Sequence, residues 1–310
     1  MNSRTYIILL NYNGLKDTCE CIMSLQKLTV EEEYAIVVVD NSSNPDEFEQ
    51  LKAFAEVQLL NFIDFREGQS VSYNGEPLVL IKAIQNKGFA HGNNLGLKFG
   101  LSQKGTSFWI LNNDTVVHPQ SLSELLKYHR KNPAVLLGSK LLYFHDRDTI
   151  QAVGGVFREK FYICEHIGEG LSKNTMKRDL EPIDYPVGAS MFVSDVFLHE
   201  VGLLNETFFL YYEELDWVYR ARKKGFAVDW CETSIVYHKE GASIGSSYRK
   251  EKSFFSEMQL FRSRKIFIEK YYSLNFKFYF SSLLLIANRF RKGKFKLAKE
   301  LLKMTFHDIK

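Results

Sequence analysis

Three short apolar runs, each stopping on a cluster of amides, carboxylates and hydroxyls, constrain this chain more than any other feature. Tyr6-Ile7-Ile8-Leu9-Leu10 runs into Asn11-Tyr12-Asn13-Gly14. Ala35-Ile36-Val37-Val38-Val39 runs into Asp40-Asn41-Ser42-Ser43-Asn44-Pro45. Ser107-Phe108-Trp109-Ile110-Leu111 runs into Asn112-Asn113-Asp114. A continuous apolar run of roughly five residues is the pattern of a strand buried on both faces. Helices are predicted between these runs: one over residues 15–28, one through Phe48, Leu51 and Phe54, one opened by residues 86–96, and one starting at Pro119. Alternating strands and helices imply a parallel sheet with helices on both faces. In such sheets ligands gather at the carboxyl ends of the strands. All three polar clusters fall there. Loops are polar in any protein, however, so the coincidence needs support from the residues themselves.

The rest of the chain is less regular. A strand is predicted over residues 78–83, and residues 57–73 read as a hairpin or an insertion before it. Further strands are expected at 136–144, 187–193, 227–230 and 234–238, with a turn at Gly154-Gly155 and a variable stretch over 161–183. A helix over 196–201 should stop at Gly202. Another begins with Glu213-Glu214-Leu215-Asp216 and ends at Lys223-Lys224-Gly225, acids at its start and bases at its end as the helix dipole favours. Residues 241–247 are rich in Gly and Ser, and the last fifty residues read as helical.

With 310 residues, 45% of them hydrophobic, the chain can bury one large core plus an appendage. A net charge of +3 gives no reason to expect nucleic acid. Cys19, Cys21, Cys164 and Cys231 are scattered, lack structural-zinc spacing and read as reduced thiols. The N-terminus shows no secretory leader and no stretch reaches the roughly 18–20 apolar residues of a membrane span, so a cytoplasmic location is expected. Neither a dinucleotide fingerprint nor a P-loop is present. Gly88, Gly92 and Gly96 recur every four residues, which reads as a helix face packed closely on the sheet; the start of that helix can also offer backbone N–H groups to phosphate.

A few residues are suited to chemistry. Asp114, at the tip of a buried strand and flanked by amides, suits Mg²⁺ or Mn²⁺, which take one or two carboxylates and complete their shell with water and phosphates. The alternative, a cap for the helix starting near Pro119, is less favoured because that helix begins somewhat far along the chain. Asp40 can accept hydrogen bonds from a nucleobase or ribose, or cap the helix after Pro45. Asp216 and Arg220, four residues apart, can form an ordinary ion pair, and Glu213 shares their face. Glu214 points roughly 100° away and is left without an obvious structural partner; crowding with other acids raises a carboxyl pKa, which suits a general base. His238 ends a strand beside the Gly/Ser segment and is either structural or a ligand.

Taken in order, Leu9-Leu10-Asn11-Tyr12-Asn13-Gly14, Val38-Val39-Asp40-Asn41-Ser42-Ser43, the stretch Asn86-Lys87-Gly88-Phe89-Ala90-His91-Gly92-Asn93-Asn94, Leu111-Asn112-Asn113-Asp114, Val187-Gly188-Ala189-Ser190-Met191, and the run from Phe208 to Arg220 resemble glycosyltransferase family 2, most of all its rhamnosyltransferase-type branch. The likeness spans about residues 5–245. It implies a GT-A fold, a Rossmann-like, mostly parallel α/β sheet flanked by helices, and inverting transfer from a nucleotide sugar. It divides the chain into a catalytic domain over 1–245, with a nucleotide-sugar half at about 1–118 and an acceptor half at 119–245, and a C-terminal helical extension over 246–310. By the same likeness Asn11, Tyr12, Asn13, Asp40, Asn86, Gly88, Asn112 and Asn113 would line the donor site. Asp114 stands in the family's Asp-x-Asp type metal motif, whose first acid is here Asn112, and His238 would help bind Mn²⁺ or Mg²⁺ and diphosphate. Glu213-Glu214 matches a Glu-Asp pair whose second member is the usual base. The change to Glu lengthens the side chain at 214 and keeps Asp216 as a backup. The segment 241–247 would close over the donor.

Residues 276–287 are apolar but too short to span a bilayer, and a basic stretch follows from Arg289 to Lys310. This tail either lies on an anionic membrane surface, on the inner face of the cell membrane, or packs on the catalytic domain. Membrane contact would suit a lipid-linked saccharide acceptor in polysaccharide synthesis for the cell surface or cell wall. Two other readings are a nucleotidyltransferase, which would need a basic triphosphate loop after the first strand, and a non-catalytic sugar-binding scaffold.

Overall fold

The computed structural model describes residues 3–42, 44, 46–58, 60–239 and 252–307. The segment 241–247 expected to close over the donor, together with Ser43, Pro45 and the final three residues of the basic tail, lies outside them. The chain begins with β1 (Arg4–Asn11), α1 (Leu15–Leu25), β2 (Glu33–Asp40), α2 (Asp46–Val57), β3 (Phe62–Arg66), β4 (Leu78–Lys82), α3 (Phe89–Ser102) and β5 (Ser107–Asn112). It continues through β6 (Thr115–Val117), α4 (Ser121–Lys131), β7 (Val135–Tyr143), β8 (Asp146–Ala152), β9 (Gly154–Arg158) and β10 (Ile163–Ile167). Then come β11 (Ser190–Ser194), α5 (Asp195–Val201), α6 (Glu213–Lys223), β12 (Ala227–His238), α7 (Phe254–Tyr271), α8 (Phe276–Arg291) and α9 (Phe295–Phe306).

The main sheet has the order β3-β4-β2-β1-β5-β11-β7-β12-β6, with β8 paired to β7. Strands β3, β4, β2, β1 and β5 are parallel. Their apolar runs are buried from both sides, and the side chains alternate between two layers as the strand period of two requires. Ile7 and Leu9 of β1 pack with α1, α2 and α4. Tyr6 and Ile8 pack with α3, α5 and α6. Strand β11 runs antiparallel to both β5 and β7, and β12 returns parallel to β7. The glycines of α3 face β1 directly: a Cβ on Gly92 would stand 2.3 Å from Leu10 Cδ1, and one on Gly96 2.5 Å from Ile8 Cγ2.

Several elements differ from the sequence reading. Residues 62–66 form no hairpin; they are an edge strand parallel to β4, half exposed and therefore without an unbroken apolar run. The strand expected at 187–193 begins only at Ser190, and the helix expected at Pro119 begins at Ser121. The two short strands expected after residue 227 are one, β12, whose register shifts between Cys231 and Ile235. The variable stretch 161–183 contains β10, which pairs with β9, and a short 3-10 turn at Lys177–Asp179.

The C-terminal helices are partly built into the main hydrophobic core. Phe267 and Ile268 of α7 and Phe278 of α8 join the layer that holds α6. Helix α8 carries apolar side chains on both its buried and its exposed side, with Phe278 and Ile286 among the buried ones. Ser281 and Ser282 are buried, whereas Phe276, Phe280, Leu283, Leu284 and Phe290 are exposed along one stripe, with spacings of three, four and seven residues that place them on a single face. No helix among the described residues is long and apolar enough to cross a membrane.

Candidate active site

Two strand pairings bring Asp114 and His238 together. Asp114 sits between β5 and β6, and the β6–β12 register sets His238 opposite Thr115. His238 Nε2 lies 3.1 Å from Asp114 Oδ1, and both residues are buried. The backbone N–H of Lys239 donates to the Asp114 carbonyl at 2.9 Å. His238 Nδ1 lies 2.9 Å from Gln151 Oε1 on β8. Both facing oxygens are acceptors, so in this arrangement Nδ1–H donates to Gln151 and Nε2–H donates to Asp114. Loss of the Nε2 proton would let a cation take its place between imidazole and carboxylate, and a polar partner on the other ring nitrogen is the usual support of a metal-bound histidine. No group of three or more His, Cys, Asp and Glu side chains able to hold an ion occurs among the described residues. One oxygen and one nitrogen ligand, with room for water and phosphate, fit Mn²⁺ or Mg²⁺.

The carboxylates at the start of α6 are held by an unusual backbone. Tyr211 and Tyr212 both have φ of 70°, a left-handed conformation that non-glycine residues seldom adopt and that costs energy unless the surroundings enforce it. They turn the chain so that Glu213 and Glu214 face inward. Oε2 of each is buried without a hydrogen-bond partner among the described residues. Burial lifts the Glu214 carboxyl to about 7, with nearby backbone N–H groups and Lys252 opposing the rise. Burial, and then the neighbouring Glu214, push the Glu213 carboxyl well above the ordinary range.

Asp216 is placed differently. It is fully buried, accepts from Arg220 Nε at 2.8 Å as the four-residue spacing predicts, and is also bonded by Lys270 at 2.5 Å and Tyr271 at 2.8 Å. Burial alone would raise its carboxyl, but the Lys270 and Arg220 hydrogen bonds outweigh it and hold it below the usual value. Asp216 ties α6 to α7 and does not face the cavity.

That cavity, about 930 Å³ in volume, lies at the carboxyl ends of β1, β2 and β5. Tyr12, Asn86, Gly88, Asn112 and Asn113 line it, as do Asp114, His238 and Glu214. Three other predicted donor residues, Asn11, Asn13 and Asp40, lie outside its lining. Asn11 Nδ2 donates to Asp40 Oδ1 at 2.9 Å and to Glu47 Oε2 at 2.8 Å, and Lys82 Nζ pairs with Asp40 Oδ2 at 2.6 Å. Asn13 has φ of 51°, and its backbone N–H donates to Ser42 Oγ at 3.0 Å. This network braces the loops behind the cavity. Gly88, with φ of 98°, lets the start of α3 reach the 208–212 segment: Phe89 N donates to the Phe209 carbonyl at 2.8 Å, and a Cβ on Gly88 would stand 2.2 Å from that oxygen.

Some site residues escaped the sequence reading. Asn41, whose Nδ2 donates to Asn86 Oδ1 at 2.8 Å, lines the cavity; its place beside Asp40 was a usable signal. Gln151 gave none, because β8 was not foreseen. Nor did the wall that α7 and α8 contribute through Leu260, Phe261, Arg264 and Leu285.

The mixed sheet thus carries, at its strand ends, a cavity lined by Asp114, His238, Glu213 and Glu214. The model of glycosyl transferase family 2 matches residues 6–196, well over half the chain. The chain belongs to that family, and its class is that of a glycosyltransferase. Among similar proteins, the low-salt glycan biosynthesis hexosyltransferase Agl10 of Haloferax volcanii is 24% identical over 241 residues, covering 76% of this chain and 66% of that protein. The dTDP-rhamnosyl transferase RfbF of Shigella flexneri is 23% identical over 237 residues, covering 74% of this chain and 66% of its own length. The match thus spans just under two thirds of each relative. Of solved structures, GalNAc-T7 with UDP, GalNAc and Mn²⁺ superposes with a TM-score of 0.63 at 14% identity, over 92% of this chain and 51% of that one. S. aureus TarS 1-349 in complex with UDP gives 0.51 at 15% identity, over 92% and 71%. These likenesses establish the GT-A fold.

Proposed function

We propose that this protein is an inverting, metal-dependent glycosyltransferase that moves a sugar from a nucleotide sugar to a hydroxyl of a saccharide acceptor. The observation that carries the reading is the placement of Glu214, half-buried and with its buried Oε2 unpaired among the described residues, on the same cavity as the Asp114–His238 pair. Asp114 and His238 would hold Mn²⁺ or Mg²⁺, which when bound offsets negative charge on a departing nucleoside diphosphate. Tyr12, Asn86, Asn112 and Asn113 bind and orient the donor. Asn11, Asn13 and Asp40 hold the loops that shape this site. Glu214 accepts the proton of the acceptor hydroxyl as its oxygen attacks the anomeric carbon from the face opposite the leaving group. A carboxyl near 7 is half ionised at neutral pH, so it can take that proton and pass it on.

The donor we favour is dTDP-rhamnose, supported by the likeness to RfbF, with UDP-hexoses next, supported by the likeness to UDP-bound structures. The acceptor we favour is a lipid-linked saccharide on the way to a cell-surface polysaccharide. The exposed Phe/Leu stripe of α8, flanked by Lys277, Arg291 and Lys292, supports peripheral contact with an anionic membrane.

Binding of a nucleotide and nucleotide-sugar panel, with and without Mn²⁺, tests the donor half of this reading. Stabilisation by one nucleoside diphosphate that needs the metal and disappears in Asp114→Ala is expected. Absence of stabilisation by every member would overturn it.

A further inference from the structure

The far wall of the cavity differs in chemistry from its donor end. From Glu214 it extends past Cys164, Tyr185 and Tyr212 to α7 and α8, where Leu260, Phe261 and Leu285 form an apolar arm. Arg264 lies on that wall and is 3% exposed. Its hydrogen bonds go to the carbonyls of Phe161 and Tyr162 and to the hydroxyls of Ser281 and Ser282. These engage four of its five N–H groups. Among the described residues no carboxylate lies within ion-pair distance of it. The neighbouring Arg289 differs, since Glu257 pairs with it at 2.8 Å. A buried cation with no counter-charge is costly unless an anion completes it. Serines and carbonyls orient the guanidinium but do not neutralise it. Glu214, Cys164 and Arg264 all line this one cavity.

We infer that this arm is a subsite for a phosphorylated lipid: Arg264 takes a phosphate, and Leu260, Phe261 and Leu285 take the start of an alkyl or isoprenoid chain. The inference rests on the glycosyltransferase reading and names the part of the acceptor that lies beyond the sugar. Helix α8 joins the two environments such a molecule would share. Leu285 faces the cavity, and Leu284, next in the chain, is exposed on the outward stripe. An amphiphile leaving a membrane against that stripe would pass from one flank of a single helix to the other. The phosphate would sit by Arg264 and the sugar would project towards Glu214.

The test uses the full chain and three probes: farnesyl diphosphate, inorganic diphosphate and farnesol. Each is titrated by calorimetry with saturating dTDP or UDP and Mn²⁺ present, so that the donor position is filled. Farnesyl diphosphate should bind at least about tenfold more tightly than either fragment. Leu285→Trp, which fills the arm and leaves the charge, should weaken it by about tenfold or more. Arg264→Gln should bring its affinity down to that of farnesol, with melting temperature recorded to confirm a folded protein. Leu285→Trp keeps the test decisive if Arg264→Gln does not fold. Farnesol binding as well as the diphosphate, inorganic diphosphate binding as well as the lipid, or indifference to Leu285→Trp would overturn the subsite. Nucleotide binding in the same cell is read separately, so loss of the donor reading and loss of the lipid subsite give different results.

Discussion

His238 and Asp114 reach each other across 124 residues of sequence because β12 pairs with β6, and only 3.1 Å separates Nε2 from Oδ1. The imidazole is steadied from behind by Gln151. Replacing Gln151 by Leu should leave both ligands in place but release the ring. Mn²⁺-dependent stabilisation by nucleotide should then need about 10–100-fold more metal. An unchanged metal midpoint in a thermal-shift titration would remove Gln151 from this role.

Glu214→Gln should lower kcat by about 10²–10⁴-fold while nucleotide binding persists, the range expected when a general base is lost. Asp216→Asn should instead cost about 2–3 kcal/mol of stability, reduced from a fully buried pair because Arg220 and Lys270 reach solvent. Full transfer activity in Glu214→Gln, with loss in Asp216→Asn, would move the base to Asp216.

Two pH effects follow from the raised Glu214 carboxyl. The base works ionised, so kcat should fall as pH drops below about 7. Stability has the opposite sign. The folded state holds this proton more tightly than the unfolded chain, so stability is complete below the ordinary value of 4.5 and is lost as pH rises from there to about 7. Glu214→Gln removes that loss and should melt higher than the parent at pH 8. A lower melting temperature there would show that the carboxylate is stabilised by contacts other than those described.

Gly88→Ala should destabilise the protein by about 2–4 kcal/mol, through a left-handed φ and a Cβ 2.2 Å from the Phe209 carbonyl. Chemical denaturation measures this. A neutral result would mean that the 208–212 segment can withdraw from α3 at little cost.

Triple replacement of Phe276, Phe280 and Leu284 by Ser should change stability little, because these side chains already face solvent. It should markedly reduce co-sedimentation with anionic vesicles. Undiminished binding would sink the membrane role of α8.

The elements legible in the sequence were those whose burial is uniform. Strands β1, β2, β4 and β5 announce themselves as unbroken apolar runs, and their polar ends mark the cavity rim. The ion pair of Asp216 with Arg220 was legible because helix spacing is fixed. What stayed hidden depends on distant parts of the chain. Nothing local shows that Tyr211 and Tyr212 adopt left-handed angles, because surrounding packing enforces them. Nor does spacing reveal that Asn11 is bonded to Glu47 and Asp40 to Lys82. Helix α8 was readable as apolar, but not as a helix that buries two serines beside Phe278 and Ile286 and leaves Phe276, Phe280 and Phe290 exposed.

The reversed strand β11 has a consequence for how the polypeptide is made. Strand β5 is complete by Asn112, yet the neighbour that closes its open edge arrives only with Ser190–Ser194. During synthesis, roughly eighty residues must leave the ribosome while a row of unpaired backbone groups waits, a state prone to sticking to other nascent chains. Fragments ending before Ser190 should therefore aggregate, and those extending past Ser194 should be the shorter pieces worth trying to express.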